Sequence, residues 1–230
     1  MAEPIQRTPE IKLEQRPATV EVVPADPSSL SIDHRPVEPS PGVPGPDIPK
    51  DALQEADAAQ ILTLADSKFW EARRRGVESG PPRRGDRKTA RAANGRGLSY
   101  FQAGEIREAV SAFWDAHQAD PADVEVLNNL GHAYLMQGDL ASAELYILAA
   151  LAVAPQRAAA WSDLGQVYGK NGDTMGAVSA FANAYRFSQN RDKTHQFFLG
   201  LLEKQEDASL KQALQQITRI AEQQLLTTTQ

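Results

Sequence analysis

The chain has 230 residues, 41% hydrophobic and 23% charged, a near-average globular composition that excludes disorder throughout. It has no cysteine, which excludes disulfides, thiol nucleophiles, iron–sulfur clusters and cysteine zinc sites. The net charge of −6 argues against a dedicated nucleic-acid binder.

Residues 1–49 hold eleven of the fifteen prolines. Each proline removes an amide donor and biases its predecessor toward extended conformations. The apolar residues between them are mostly isolated, so burial cannot offset the entropy of ordering. The segment is predicted to be a disordered, partly polyproline-II arm. It serves either as a plain linker or as a second contact with a partner. Ile11-Lys12-Leu13 and Ala18-Thr19-Val20-Glu21-Val22-Val23 have the pattern to add a strand to a partner's sheet. The first residues lack the apolar core of a secretory signal. No run reaches the roughly 18–20 apolar residues of a membrane span, so no transmembrane segment is expected. The expected compartment is the cytoplasm, or the periplasm if a signal was removed.

Residues 50–78 read as a helix. Ala52, Ala56, Ala59, Leu62, Ala65, Phe69 and Ala72 recur every three or four residues. Residues 79–88, with Gly80-Pro81-Pro82 and Gly85, break it as a basic linker or hinge. Arg73, Arg74, Arg75, Arg83, Arg84, Arg87, Lys88 and Arg91 stand against only Glu78 and Asp86. They form a basic strip, read as solvated charge or as a contact with an acidic partner. Nucleic acid and anionic lipid are the disfavoured alternatives, and steep salt dependence would mark them.

From residue 89 the chain repeats itself every 34 residues. Gly97, Gly131 and Gly165 share one register, and Tyr100, Tyr134 and Tyr168 another. Gly104, Gly138 and Gly172 follow, then Ala109, Ala143 and Ala177, and Ala116, Ala150 and Ala184. Phe113, Ile147 and Phe181 keep a further register apolar, and Pro121 and Pro155 match in two units. Self-similarity at this period signals a solenoid of helical hairpins. The first helices of the units are predicted near 91–103, 124–136 and 158–170, the second near 105–118, 139–152 and 173–186. Gly104, Gly138 and Gly172 end the first helices in a left-handed conformation. Asp139 and Asp173 cap the second helices, and Pro121 and Pro155 stop them. Gly97, Gly131, Gly165 and the small alanines let the paired helices approach. The tyrosines and Phe113, Ile147 and Phe181 fill the seams.

These residues resemble the tetratricopeptide repeat (TPR) family. The second unit reads Leu127-x2-Leu130-Gly131-x2-Tyr134 and the third Trp161-x2-Leu164-Gly165-x2-Tyr168. The first carries Ala93 and Arg96 where large apolar residues belong, as a terminal repeat often does. The predicted fold is therefore all-α: three repeats over 89–190, two capping helices over 191–226, and a tail at 227–230. The second capping helix has an apolar face of Leu210, Ala213, Leu214, Ile217, Ile220, Ala221 and Leu225, which covers the last repeat or pairs with another copy.

Signals for catalysis are absent from the sequence. His34, His117, His132 and His195 have no zinc-ligand spacing. Gly95-Arg96-Gly97 lacks the third glycine and the preceding strand of a dinucleotide fingerprint. Gly169-Lys170 lacks a phosphate loop. No enzymatic activity, cofactor or metal is expected.

The resemblance implies a concave groove on the first helices. Its facing positions here are Asn94, Leu98, Phe101, Asn128, Asn129, His132, Leu135, Ser162, Asp163 and Gln166. Asn and Gln can pair with both donors and acceptors of an extended peptide. Chaperone-binding members clamp a C-terminal carboxylate with Lys, Arg and Asn. Only Asn129 matches that set; Asn94, Leu98, Ala159 and Asp163 supply no cation, so no such clamp is expected. The resulting expectation is a non-enzymatic adaptor binding a partner peptide or helix, with a bacterial pilus or secretion assembly as the setting the resemblance implies. The alternative is a structural subunit of a larger complex, anchored through its arm or basic segment.

Overall fold

Alanine-rich sequence with apolar residues at helical spacing, punctuated by aspartates and glycines, folds into eight helices within residues 83–228. They are α1 (Arg87–Gln102), α2 (Ile106–Ala119), α3 (Val124–Gln137), α4 (Leu140–Val153), α5 (Ala158–Lys170), α6 (Thr174–Phe187), α7 (Arg191–Lys204) and α8 (Ala208–Thr228). The computed structural model describes residues 63, 65–68 and 83–228. The proline-rich arm, most of the 50–78 helix and Arg73, Arg74 and Arg75 lie outside the described residues.

Gly104, Gly138 and Gly172 all take positive φ, at 79°, 89° and 83°, each directly after the first helix of a hairpin. The left-handed turn is least strained without a Cβ, and it sends the chain back antiparallel. Asp139 then accepts from the Ser142 amide at 3.1 Å, and Asp173 from the Gly176 amide at 2.8 Å. The first helix starts four residues earlier than expected. The Asp86 carboxylate accepts from the Lys88 and Thr89 amides, so Arg87 and Lys88 belong to α1 and not to the linker. The linker is no free hinge at its end either. The Gly85 amide donates to Asp120 Oδ1 at 3.0 Å, and the Asp86 amide to the Ala119 carbonyl at 2.7 Å.

Within each hairpin the helices close on a glycine. A Cβ on Gly97, Gly131 or Gly165 would sit 2.5–2.7 Å from Phe113, Ile147 or Phe181 respectively. Each second helix then packs on the next first helix, α2 on α3 and α4 on α5, to make an all-α solenoid of three repeats. Arg91 ties the first two repeats together, donating to Asp123 at 3.0 Å and to Glu125 at 2.8 Å.

The tyrosine seams are not equivalent. Tyr134 stacks on Tyr146, with centroids 5.6 Å apart and planes 12° apart. One period earlier the place of Tyr146 is taken by Ala112, too small to stack, and Tyr100 is left exposed instead of filling a seam. Tyr168 lies beneath Lys68, whose Nζ is 5.0 Å from the ring centroid.

The main core lies between the third repeat, with Trp161, Leu164 and Phe181, and helix α8, with Leu210, Leu214 and Ile217. Helix α6 is its axis: every residue from Gly176 to Tyr185 is buried. Four sides cover it. Helix α5 is its hairpin partner, and α7 and α8 pack from the C-terminal side. Phe198 of α7 meets Phe181 edge-on at 5.1 Å. The fourth side belongs to the helical residues 65–68. The Ala65 carbonyl accepts from Asn183 Nδ2 at 2.8 Å, Arg186 pairs with Asp66, and Ala65 itself is fully buried. Helices α7 and α8 thus cap the solenoid. Among the described residues no helix is long and apolar enough to cross a membrane.

Candidate functional site

The first helices of the repeats face one side, and between α3, α5 and α7 they leave a cleft of about 700 Å³. From α3 it takes Asn128, Asn129 and His132; from α5, Ala158, Ala159, Ser162 and Asp163. The far wall is α7, which contributes Lys193, Thr194 and Phe197, with Phe187 and Ser188 from the end of α6. Most of the lining residues are polar in type, but the surface they present is largely apolar, with Phe187 and Phe197 as its aromatic part. Phe197 is 47% exposed, a ring with an open face.

The polar side chains brace one another across the repeats. Asn129 Nδ2 donates to Asn94 Oδ1 at 3.0 Å. Arg157 Nε donates to Asn128 Oδ1 at 3.1 Å. His132 Nδ1 lies 2.9 Å from Asp163 Oδ1, and the imidazole sits 5.2 Å from the Phe101 ring. Burial opposes the charged form of His132. The hydrogen bond and the charge of Asp163 outweigh it, so the imidazole pKa lies above its ordinary value near 6.5. A raised folded-state pKa makes this pair's contribution to stability complete below the unfolded pKa. That contribution is lost as pH rises through the folded value. Replacing Asp163 with Asn leaves burial as the dominant influence. The His132 pKa should then fall below its ordinary value, as read by NMR titration of the ring proton; an unchanged titration would remove the pair.

The ten groove positions read from the sequence separate in space. Asn128, Asn129, His132, Ser162 and Asp163 line the cleft. Asn94 is buried and supports Asn129, while Phe101 supports His132. Leu98 is exposed outside the cleft lining. Leu135 is buried in the hydrophobic core, and Gln166 is also buried. Of the basic strip, Arg83, Arg84, Arg87 and Lys88 are exposed, but Arg91 is committed to Asp123 and Glu125.

Sequence reading missed Arg157, Lys193, Phe187 and Phe197. The signal for two of them was the period itself: Lys193 stands 34 residues after Ala159, and Phe197 34 after Asp163. The glycine and tyrosine registers lapse beyond Asn190, but the groove register continues into α7. The capping helix is therefore also a wall of the cleft.

A solenoid of helical hairpins with a concave cleft of mixed polar and apolar surface defines a protein-interaction scaffold. Residues 100–167 match the family described as tetratricopeptide repeat. Among solved structures, the Arabidopsis OM64 TPR domain is 15% identical, covers 59% of this chain and 98% of its own, and has a TM-score of 0.47. The first TPR of Spaghetti (RPAP3), bound to the HSP90 peptide SRMEEVD, is 20% identical over 53% of this chain and 96% of its own, with a TM-score of 0.47. MamA is 17% identical over 75% of this chain and 97% of its own, with a TM-score of 0.48. No curated protein matches the chain.

Proposed function

We propose that the protein is a non-enzymatic adaptor that binds an extended segment of a partner protein in the cleft between α3, α5 and α7. The observation that carries this reading is the cleft lining itself. Asn128, Asn129, His132, Ser162 and Asp163 converge from two consecutive repeats, and Phe187 and Phe197 offer apolar surface beside them. Amide, hydroxyl and imidazole groups at helical spacing suit the donors and acceptors of a peptide backbone, and rings suit its side chains. A pilus or secretion assembly is the setting in which we place such an adaptor.

Asn129→Ala combined with His132→Ala should remove partner capture without lowering helical content. Affinity purification with mass spectrometry, run beside circular dichroism, reads both. A partner retained at full yield by the double variant would move recognition away from the cleft.

A further inference from the structure

We infer that the cleft holds an acidic side chain of the partner peptide at the N-terminus of α5, a refinement that rests on the groove reading above. Helices α1 and α3 begin at Asp86 and Asp123, whose carboxylates accept from amides of the first turn. One period after Asp123 the same place is held by Arg157. No side chain caps α5, and its first turn has no acidic residue. The first amides of a helix lack intrahelical acceptors and carry the positive end of its dipole. Here they open onto the cleft, where Ala158 and Ala159 are part of the lining.

Two cations flank that helix start. Arg157 is held by Asn128, and Lys193 stands on the α7 wall. Neither makes an ion pair among the described residues. The one carboxylate of the lining, Asp163, is already answered by His132. A second observation points to a ligand. Ser162, one turn along from Ala158, lines the same cleft; it is 8% exposed, and its Oγ is buried without a hydrogen-bond partner. A buried hydroxyl left unpaired is unfavourable, and a rotation of the Ser162 side chain toward a bound chain recovers that cost.

A carboxylate placed here supplies the acceptor that Asp123 gives to α3, and it receives charge-assisted bonds from Arg157 and Lys193. Two cations beside the carboxylate of Asp163 do not make the extended basic surface that a nucleic-acid backbone requires.

The test uses random peptides of about a dozen residues, displayed on phage without a free C-terminus and selected on the full chain. Asp or Glu should be enriched at one position. The selected peptides should bind Arg157→Asp about tenfold more weakly or worse. That variant gives α5 its own cap, so its melting temperature should hold or rise. Exchanging the peptide's acidic residue for its amide should weaken binding to the wild type and leave binding to Arg157→Asp nearly unchanged. Peptides that depend on Asn129 and His132 but show no acidic position overturn this inference and leave the groove reading intact. Selection that yields no peptide dependent on those residues overturns both.

Discussion

Trp161→Ala should cost about 3–5 kcal/mol of unfolding free energy, the usual range for emptying a fully buried tryptophan site. Trp161 is completely buried in the main core, and its Nε1 donates to the Pro155 carbonyl at 2.7 Å. The truncation therefore opens a cavity and also strips a donor from the turn between the second and third repeats. Loss of that bond adds about 1 kcal/mol. Trp161→Phe loses the same donor but keeps a six-membered ring and so leaves a smaller cavity, and its difference from Trp161→Ala reports the cavity contribution. In a solenoid each repeat leans on its neighbours, so damage here spreads. The α5–α6 hairpin also carries α7, α8 and residues 65–68. Urea unfolding followed by circular dichroism should show one large shift in midpoint. A cost under about 1 kcal/mol would mean that the third repeat is not the centre of stability.

That centre was only partly legible in the sequence. The 34-residue period gives the three hairpins, because each register answers a local demand: glycine for a left-handed turn, glycine for a close approach, aspartate for a cap. What the period cannot give is inequality between repeats. The large apolar slot holds Ala93, Leu127 and Trp161 in turn, and the core gathers where that slot is largest. Tyr100, Tyr134 and Tyr168 look identical in register and have three different fates, because each depends on a neighbour that is not itself periodic. The site shows the same division. Asn128, Asn129 and His132 follow from the family pattern. Arg157 becomes meaningful only when set beside Asp123 as a broken cap. Lys193 and Phe197 were hidden because α7 keeps the groove register and drops the packing register. Packing and cleft lining make separate demands on one helix, and a reading tuned to the first stops early.

Gly131→Ala should be the most damaging of three formally equivalent substitutions, at about 2–3 kcal/mol of lost stability. In an exposed helix the same change would stabilise by about 1 kcal/mol through propensity. Contact geometry reverses that sign. The three atoms nearest a Cβ at Gly97 or Gly165 are all ring atoms, of Phe113 or Phe181, so a small ring displacement can relieve the overlap. At Gly131 it would lie 2.7 Å from Ile147 Cγ1, 3.0 Å from the Ile147 amide nitrogen and 3.3 Å from the Ala143 carbonyl. Two of those three atoms are backbone, and α4 must move as a body to make room. Tyr146 and Ile147 are adjacent on α4, so such a shift also disturbs the Tyr134–Tyr146 stack. Chemical denaturation of the three single alanine variants ranks them directly. If Gly131→Ala costs no more than Gly97→Ala, helix α4 yields more easily than its backbone contacts imply, and the glycine register is then set by the rings alone.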